Sequence, residues 1–303
     1  MSESKPRVTS PVGKILVTGA TGHLGVAVCE SLIAHGYQLV ATDRKYVDHL
    51  PFKPILGDLL DEHFVYRVVE GCDAVVHLGN HPNLFVGPSA QQILADNVRM
   101  NANVFWAAVH VGVRRIVFAS SIQVMLRTVA GKREEPYELP YLPLDGNAPA
   151  DPGTNTYALS KEFGERALQV LCAEHEDLAA TALRFPMLPR TPWVSHLRSA
   201  KSVIPAWLNW GDCLTHLLLP DAGVIVTRAV GRAVPGYRQY FPAVPMKIVG
   251  RSAQEVYHQH YAHVPLKCPI SELTELVDCS ELKRDFDFEP SDRLEINLAP
   301  STA

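Results

Sequence analysis

Short apolar runs alternate with amphipathic stretches along the first 185 residues of this 303-residue chain. The apolar runs are KILVT, YQLVATD, KPILGD, DAVVHLG, RRIVFASS and AATALRF. Helical patterns separate several of them, over residues 22–35, 89–111 and 156–176, and the first two of these patterns end at Gly36 and Gly112, which suit a left-handed cap. Strands that alternate with helices predict an α/β protein with a doubly wound parallel sheet.

Two segments break this alternation. Residues 127–155, RTVAGKREEPYELPYLPLDGNAPADPGTN, contain prolines, glycines and charges without a helical or strand period. We predict a long surface loop there that acts as a flap near the functional site. Beyond residue 185 the chain carries prolines and tryptophans in an irregular pattern. We therefore expect a regular domain over residues 1–185 and a smaller, irregular lobe over 186–303, from which one strand can return to the main sheet.

Composition narrows the classes of partner. The formal net charge is −4 and the pI is about 6.3, so the chain has no excess of positive charge for nucleic acid or an anionic membrane. The polar N-terminus is unlike a signal peptide, and no stretch reaches the roughly 18 apolar residues of a membrane span. We expect a cytoplasmic protein with a small-molecule ligand.

Metal and disulfide chemistry is not indicated by the cysteines or histidines. Six cysteines are scattered without a CxxC pair, which is typical of reduced, mostly buried thiols. The run HQHYAH brings together His258, His260 and His263, but no carboxylate or cysteine completes a ligand set at a suitable spacing. We therefore predict no metal site.

The segment KILVTGATGHLG, residues 14–25, places three glycines at three-residue spacing directly behind the first strand. Bare backbone at a strand–turn–helix junction lets a pyrophosphate approach the free N–H groups of the helix. Gly19, Gly22 and Gly25 would serve the tight turn, the close approach and the packing of the helix. A dinucleotide-binding site of the Rossmann type is predicted.

Acidic residues follow the next two strands. Asp43 ends the second strand 18 residues after Gly25, where a carboxylate accepts the hydroxyls of the adenosine ribose. Such a carboxylate repels a 2′-phosphate and favours NAD over NADP, although Arg44 follows directly and partly offsets its charge. Asp58 follows the third strand and suits either the adenine amino group or a turn.

A second group of residues has the side chains that acid–base catalysis requires. Ser121 lies at the end of the fifth strand, in SSIQV, and Tyr157 and Lys161 are four residues apart in YALSK. On a helix these two share one face, so the ammonium would favour the phenolate and lower the pKa of the tyrosine. Tyr157 then serves as a general base, with Ser121 bound to the same substrate hydroxyl.

The order TGATGHLG, GDL, HLG, FASS, YALSK and LRF resembles the extended short-chain dehydrogenase/reductase family, which includes nucleotide-sugar epimerases, dehydratases and uronate dehydrogenases. The resemblance covers essentially the whole chain and implies that Ser121, Tyr157 and Lys161 are the catalytic trio, with Lys161 also contacting the nicotinamide ribose. It implies a homodimer through the helices over 89–111 and 156–176. It also implies NAD contacts at Gly19, Thr21, Gly22, His23, Leu24, Gly25, Asp43, Arg44, Asp58, Leu59, Leu78, Gly79, Tyr157 and Lys161.

The chain departs from the family pattern at positions that distinguish its members. Met187 stands where nucleotide-sugar enzymes carry an asparagine, and Ile122 and Gln123 stand where dehydratases carry an Asp-Glu pair. Without that acid and base, dehydration has no proton carrier. The remaining motifs are most similar to those of uronate dehydrogenases.

The sequence therefore predicts an NAD-dependent oxidoreductase that transfers a hydride at a secondary hydroxyl of a sugar or sugar acid. Two alternatives stay open: a nucleotide-sugar epimerase that retains NAD, and a non-catalytic NAD-binding regulatory protein. A carbohydrate-like substrate implies polar contacts to its hydroxyls and a bidentate partner for any carboxylate. We assign Arg190 to the carboxylate and Asn80, His81 and Gln123 to hydroxyls.

Overall fold

A computed structural model of the chain describes residues 13–83, 87–128, 137–199, 201–202 and 210–298, with backbone alone for 196–199, 201–202 and 297–298. Its strands are β1 Lys14–Thr18, β2 Gln38–Asp43, β3 Ile55–Leu56, β4 Ala74–His77, β5 Arg115–Ser121, β6 Arg127–Thr128, β7 Tyr137–Glu138, β8 Ala179–Phe185, β9 Lys201–Ser202, β10 Thr215–His216, β11 Gly236–Tyr240, β12 Val244–Pro245, β13 Lys247–Ile248 and β14 Glu295–Leu298. Its helices are α1 His23–Ala34, α2 Glu62–Val69, α3 Ala90–His110, α4 Thr156–Glu174, α5 Thr191–Ser199, α6 Leu219–Gly231, α7 Ala253–Val256 and α8 Ser280–Phe286.

Within the described residues, seven strands form one parallel sheet in the order β3, β2, β1, β4, β5, β8, β11. The chain runs from β1 outward to β3 and then returns to β4 on the other side of β1. The crossovers therefore diverge at β1 and β4, and a crevice opens there at the carboxyl edge of the sheet. The predicted Rossmann-type doubly wound sheet is confirmed.

Each face of the sheet is covered by its own helices. On one face α1 and α6 pack together, with apolar residues of α8 in the same core. On the other face α2, α3 and α4 enclose a second core around Phe105 and Phe118. Because β11 and α6 both come from beyond residue 185, the second half of the chain supplies the last strand and one covering helix of the main sheet. No helix of the described residues has the length and apolar character that a bilayer crossing requires.

A third core lies beyond the carboxyl edge of the sheet, in the irregular lobe. It includes Leu142 and Leu144, which are fully buried although they belong to the predicted surface loop. Their backbone N–H groups donate to the carbonyls of Pro265 and Leu276, each at 2.9 Å. The prediction of a surface loop is thus wrong over this part, because its apolar residues pack against a much later part of the chain. Residues 129–136 of the same segment lie outside the described residues.

A buried ion pair fixes the same segment from the other side. Arg184 of β8 donates to both carboxylate oxygens of Glu165 on α4, at 2.9 and 2.7 Å. Its remaining nitrogen donates to the carbonyls of Gly146 and Ala148. A bidentate pair in which every nitrogen of the guanidinium donates a hydrogen bond is the arrangement in which a buried arginine is tolerated. The pair therefore ties the segment to the strand and the helix beside the carboxyl edge.

Candidate active site

The carboxyl edge of the sheet opens into a cleft with a volume of about 1250 Å³. The loops after β1, β2, β4, β5 and β8 line one side, and residues of the irregular lobe line the other. Every residue that the sequence predicts for the site lines this cleft except Thr21, Asp58 and His81. The sequence motifs thus converge on one place in the fold.

The glycine turn is built as tightly as its spacing predicts. Gly19 adopts a φ of +67°, and a Cβ there would lie 2.8 Å from the backbone of Gly79. A Cβ on Gly25 would lie 2.1 Å from the carbonyl oxygen of Gly19, so the start of α1 packs directly on the turn. Gly22 caps α1 without any side-chain hydrogen bond, which leaves the first N–H groups of the helix available to an anion.

Asp43 sits at the end of β2 and also orders the glycine turn. Its Oδ2 accepts from the N–H of Thr21 at 3.0 Å, and its Oδ1 accepts from Arg44 and Lys45. Each carboxylate oxygen has two lone pairs, so the side chain keeps acceptor capacity toward the cleft, which it lines. Thr21 therefore contributes its backbone, rather than its side chain, to this arrangement.

Ser121, Tyr157 and Lys161 meet at the end of β5. Asn155 begins α4 by accepting from the N–H of Ala158 at 3.1 Å, and Tyr157 and Lys161 then fall on one buried face of the helix. The hydroxyl of Ser121 lies close enough to the phenol of Tyr157 to lower its pKa. The Nζ of Lys161 lies 5.8 Å from the centre of the Tyr157 ring.

Burial, rather than the nearby ammonium, dominates the titration of Tyr157 and Lys161. It raises the pKa of Tyr157 to about 12, against the opposite effect of the nearby Ser121 hydroxyl. It also lowers the pKa of Lys161 to about 7, against the attraction of Glu165 one turn further along α4. The prediction that Lys161 lowers the pKa of the tyrosine is therefore wrong, because both groups lose hydration and each neutral form is favoured.

A chain of buried hydrogen bonds holds Lys161 in place. Its Nζ donates to the carbonyl of Ala119 at 2.7 Å and to Oδ1 of Asn80 at 2.8 Å. Nδ2 of Asn80 donates to Oδ1 of Asn101 at 3.0 Å, and Nε2 of His77 bonds to the same oxygen at 2.9 Å. An amide oxygen only accepts, so the proton of His77 is on Nε2. The amide of Asn80 is thus committed to Lys161 rather than directed at a substrate hydroxyl.

His77 extends this chain to the first strand. Burial lowers the pKa of His77 to about 3, so the ring is neutral and its Nδ1 accepts from the hydroxyl of Thr18 at 2.7 Å. The oxygen of Thr18 in turn accepts from the N–H of Gly79 at 3.1 Å. The lysine is therefore linked, bond by bond, to the strand that carries the glycine turn.

Of the other predicted residues, some are engaged away from the cleft and some line it. Asp58 accepts from the N–H of Leu60 at 2.9 Å and orders a turn, and His81 pairs with Asp96 at 3.0 Å, so both are engaged away from the cleft lining. Gln123 lines the cleft, but its Oε1 accepts from the side chain of Asn155 at 2.8 Å. Arg190 lines the cleft with an exposed guanidinium, 5.1 Å from the centre of the Trp193 ring.

The sequence analysis does not predict a role in the site for Asn101, Tyr137 and Asp212. Asn101 belongs to the hydrogen-bonded chain behind Lys161. Tyr137 lines the cleft from the segment before α4, and Asp212 lines it from the irregular lobe. A helical asparagine without a motif carries no signal of its own. Tyr137 and Asp212 lie in segments without a periodic pattern, so only the tertiary fold brings them to the cleft.

Comparison with known proteins identifies the family of this chain and several of its relatives. The model of the NAD dependent epimerase/dehydratase family matches residues 15–209. A uronate dehydrogenase of Pseudomonas syringae pv. tomato is 31% identical over 73% of this chain and 75% of its own length. A 2-alkyl-3-oxoalkanoate reductase of Stenotrophomonas maltophilia is 35% identical over 59% of this chain, and the match spans about half (51%) of the reductase.

Solved structures extend the likeness over nearly the whole chain. UDP-glucose 4-epimerase from Bifidobacterium longum, in complex with NAD+ and UDP, superposes with a TM-score of 0.65. The superposition covers 92% of this chain and 94% of the epimerase at 18% identity. At this identity the likeness shows the fold, which extends through the irregular lobe.

Proposed function

Because the chain belongs to the NAD-dependent epimerase/dehydratase family, we propose that it is an NAD-dependent oxidoreductase acting on a secondary hydroxyl of a sugar or sugar acid. The proposal is carried by one observation: Ser121, Tyr157 and Lys161 converge in the cleft that the glycine turn also lines. This joins a proton-transfer site to a dinucleotide site in a single cavity.

The residues of the cleft fit NAD. The uncapped start of α1, after Gly19, Gly22 and Gly25, would hold the pyrophosphate, and the remaining acceptor capacity of Asp43 would hold the adenosine ribose. The negative charge of Asp43 favours NAD over NADP, with Arg44 as a partial counterweight. When bound, NAD supplies the acceptor for the hydride.

Tyr157 is the proposed proton carrier. In oxidation, its phenolate takes the proton of the substrate hydroxyl while the hydride leaves the same carbon. The phenolate must form first, and burial opposes this by raising the pKa of Tyr157 to about 12. The neighbouring hydroxyl of Ser121 acts in the opposite direction and lowers the pKa of the phenol.

The same titration favours one direction of the reaction near neutral pH. A phenol with a pKa of about 12 carries its proton at pH 7, which is the form that a carbonyl group needs as a proton donor during reduction. Oxidation requires the deprotonated form. We therefore expect the rate of oxidation to rise with pH above neutrality and the rate of reduction to be higher near pH 7.

The substrate class is inferred from the relatives and from one charge in the cleft. Uronate dehydrogenase is among the relatives, and the exposed guanidinium of Arg190 offers bidentate pairing to a carboxylate. Arg190 also lies 3.5 Å from Nε2 of His23 in the first turn of α1, so it concentrates positive charge near the proposed pyrophosphate site. An acidic sugar is the substrate that this charge favours.

The lobe and the dimer complete the proposal. Residues 1–185 would bind NAD, and 186–303 would select the substrate from the other side of the cleft.

We place a homodimer contact on α3 and α4, which pack side by side. Phe163 and Val170, two turns apart on α4, are 46% and 39% exposed, which leaves an apolar stripe for a second subunit.

The test is turnover with NAD, followed through the absorbance of the reduced cofactor. The panel contains uronates, neutral aldoses and sugar nucleotides, and a 3-oxoalkanoate is offered with reduced cofactor because one relative is a reductase of that class. We expect a uronate to be oxidised, and Tyr157→Phe to reduce the rate by about 10²- to 10⁴-fold while NAD affinity is retained. Tyr141→Phe is the control, since Tyr141 bonds to Asp145 outside the cleft lining.

Each alternative has its own result. Interconversion of two sugar epimers without net reduction, with NAD copurified, would support an epimerase. Absence of turnover with every class would contradict the oxidoreductase. A biological role that survives Tyr157→Phe would support a non-catalytic NAD-binding protein.

A further inference from the structure

A turn of the irregular lobe contributes Asp212 to the lining of the cleft. It begins with the 3₁₀ segment Trp210–Asp212 and continues through Cys213 and Leu214, whose φ angles are 59° and 52°. Residues other than glycine rarely adopt this left-handed conformation, and here two consecutive residues do so. Both side chains are nevertheless buried in the lobe core. The surrounding structure therefore holds a conformation that the backbone disfavours.

The histidine-rich run HQHYAH packs against this turn and stabilises it. The run forms a π-helical turn over Tyr257–Tyr261. The ring of His260 stacks on the indole of Trp210, with centres 3.5 Å apart and planes 9° apart. The phenol of Tyr261 donates to the carbonyl of Trp210 at 2.7 Å. The run HQHYAH thus has a packing role: it fixes the residue that begins the turn.

The turn places the carboxyl of Asp212 at the cleft lining, where it is partly buried. The N–H of Leu214 donates to Oδ1 at 3.1 Å. Among the side chains that the structure describes, no basic group contributes to its titration, and burial raises its pKa to about 7. The titratable groups that face it are Tyr137, Cys213 and Tyr261.

The backbone N–H groups of Asp212, Leu214 and Thr215 stabilise the charged carboxylate. A carboxylate offers about four acceptor positions, so one position remains for a hydroxyl group at the cleft, with which it forms a strong hydrogen bond. Tyr137 lines the cleft beside it, so an aromatic ring adjoins the acceptor. An apolar face next to a hydroxyl acceptor suits a ring with several hydroxyl groups.

We propose that Asp212 binds hydroxyl groups of the sugar that do not react, and so determines which sugar the enzyme accepts. The inference rests on the proposed function, because it concerns the substrate of the same cleft. Asp212 is distinct from Ser121, Tyr157 and Lys161, which handle the reacting hydroxyl.

Asp212→Asn is the decisive variant, because an asparagine still accepts from the N–H of Leu214 and preserves the turn. Loss of a charge-assisted hydrogen bond predicts an increase in KM of about 10- to 100-fold, with kcat changed less than about 3-fold and NAD affinity unchanged. Asp278→Asn is the matched control: Asp278 makes the same contact two residues ahead, to Ser280 at 2.8 Å, but is exposed and outside the cleft lining. Its KM should equal that of the wild type.

A series of monodeoxy substrates separates binding from support of the turn. For the wild type, removal of the bound hydroxyl should raise KM by the same factor as Asp212→Asn, and the variant should then be insensitive to that removal. If Asp212→Asn does not fold, Asp212→Glu keeps the charge and shifts it by one methylene, which should change the ranking of epimeric substrates.

An unchanged KM in Asp212→Asn, or an unchanged ranking in Asp212→Glu, would overturn this inference alone and leave the proposed function in place. Lost NAD affinity in Asp212→Asn would also overturn it, by assigning the residue to the fold or the cofactor. If the wild type turned over no sugar of any class, both the proposed function and this inference would fail.

Discussion

The buried ammonium of Lys161 makes the stability of the ligand-free protein depend on pH in a defined window. Burial lowers its pKa from 10.5 to about 7, and the side chain is only 4% exposed. Between these two pH values the unfolded chain binds a proton at Lys161 that the folded chain releases. The free energy of unfolding therefore rises with pH from about 7 to 10.5, by up to about 1.4 kcal/mol per pH unit.

Substitution Lys161→Met removes this dependence. From pH 6.5 to pH 9.0 we expect the wild type to gain about 2.5 kcal/mol relative to the variant. Loss of the donor to Asn80 and Ala119 costs the variant about 1–3 kcal/mol for each orphaned acceptor, but that cost is the same at both pH values. The neighbouring groups titrate elsewhere, since the pKa of His77 is about 3 and that of Tyr157 about 12.

Urea denaturation without NAD, at several pH values between 6.5 and 9.0, measures the difference. Lys247→Met is the control, because Lys247 is 57% exposed and pairs with Glu295 at the surface. Its stability profile should run parallel to that of the wild type. Parallel profiles for Lys161→Met and the wild type would refute the reasoning, since they would mean that the ammonium is as well solvated in the folded protein as in the unfolded chain.

Three further predictions concern the same cleft. Gly25→Ala should lower the free energy of unfolding by about 1–3 kcal/mol in urea denaturation, because its Cβ would lie 2.1 Å from a backbone oxygen. Gly22→Ala, with a nearest contact of 3.3 Å, should lower it by less than about 1 kcal/mol. Equal losses for the two variants would contradict this packing. Asn80→Ala should lower kcat about tenfold or more by releasing the lysine, with little change in the dissociation constant of NAD, and an unchanged kcat would remove its positioning role. Asp43→Asn should lower the ratio of KM for NADP to KM for NAD about tenfold, measured by initial rates, and a constant ratio would place the ribose elsewhere.

The parts of the fold that the sequence predicts are those with local signals. Six strand runs, the glycine turn and the tyrosine helix each follow from residue types within a few positions of one another, and all are found in the structure. Parallel strands then bring their carboxyl ends to one edge, which is why Asp43 and Ser121 share a cleft although 78 residues separate them.

What the sequence does not predict depends on distant partners. Leu142 and Leu144 lie in a segment that is rich in turn residues, and only contact with the chain around Pro265 and Leu276 buries them. The titration of Tyr157 was mispredicted for a related reason: the spacing to a lysine is local, but the desolvation that outweighs it comes from the whole fold.

The position of β11 at the edge of the sheet has a consequence for how the chain acquires its structure. During synthesis, β8 is complete at residue 185, but the strand that pairs with its outer edge, β11, is formed by residues 236–240. The apolar face that packs against α1 is likewise covered only after α6, residues 219–231, has been made. A nascent or truncated chain that ends between these points carries an unpaired strand edge beside uncovered aliphatic side chains, the combination that promotes self-association. Holdase chaperones should therefore be needed until translation passes about residue 240, and a fragment ending at 185 should be recovered mainly in aggregates.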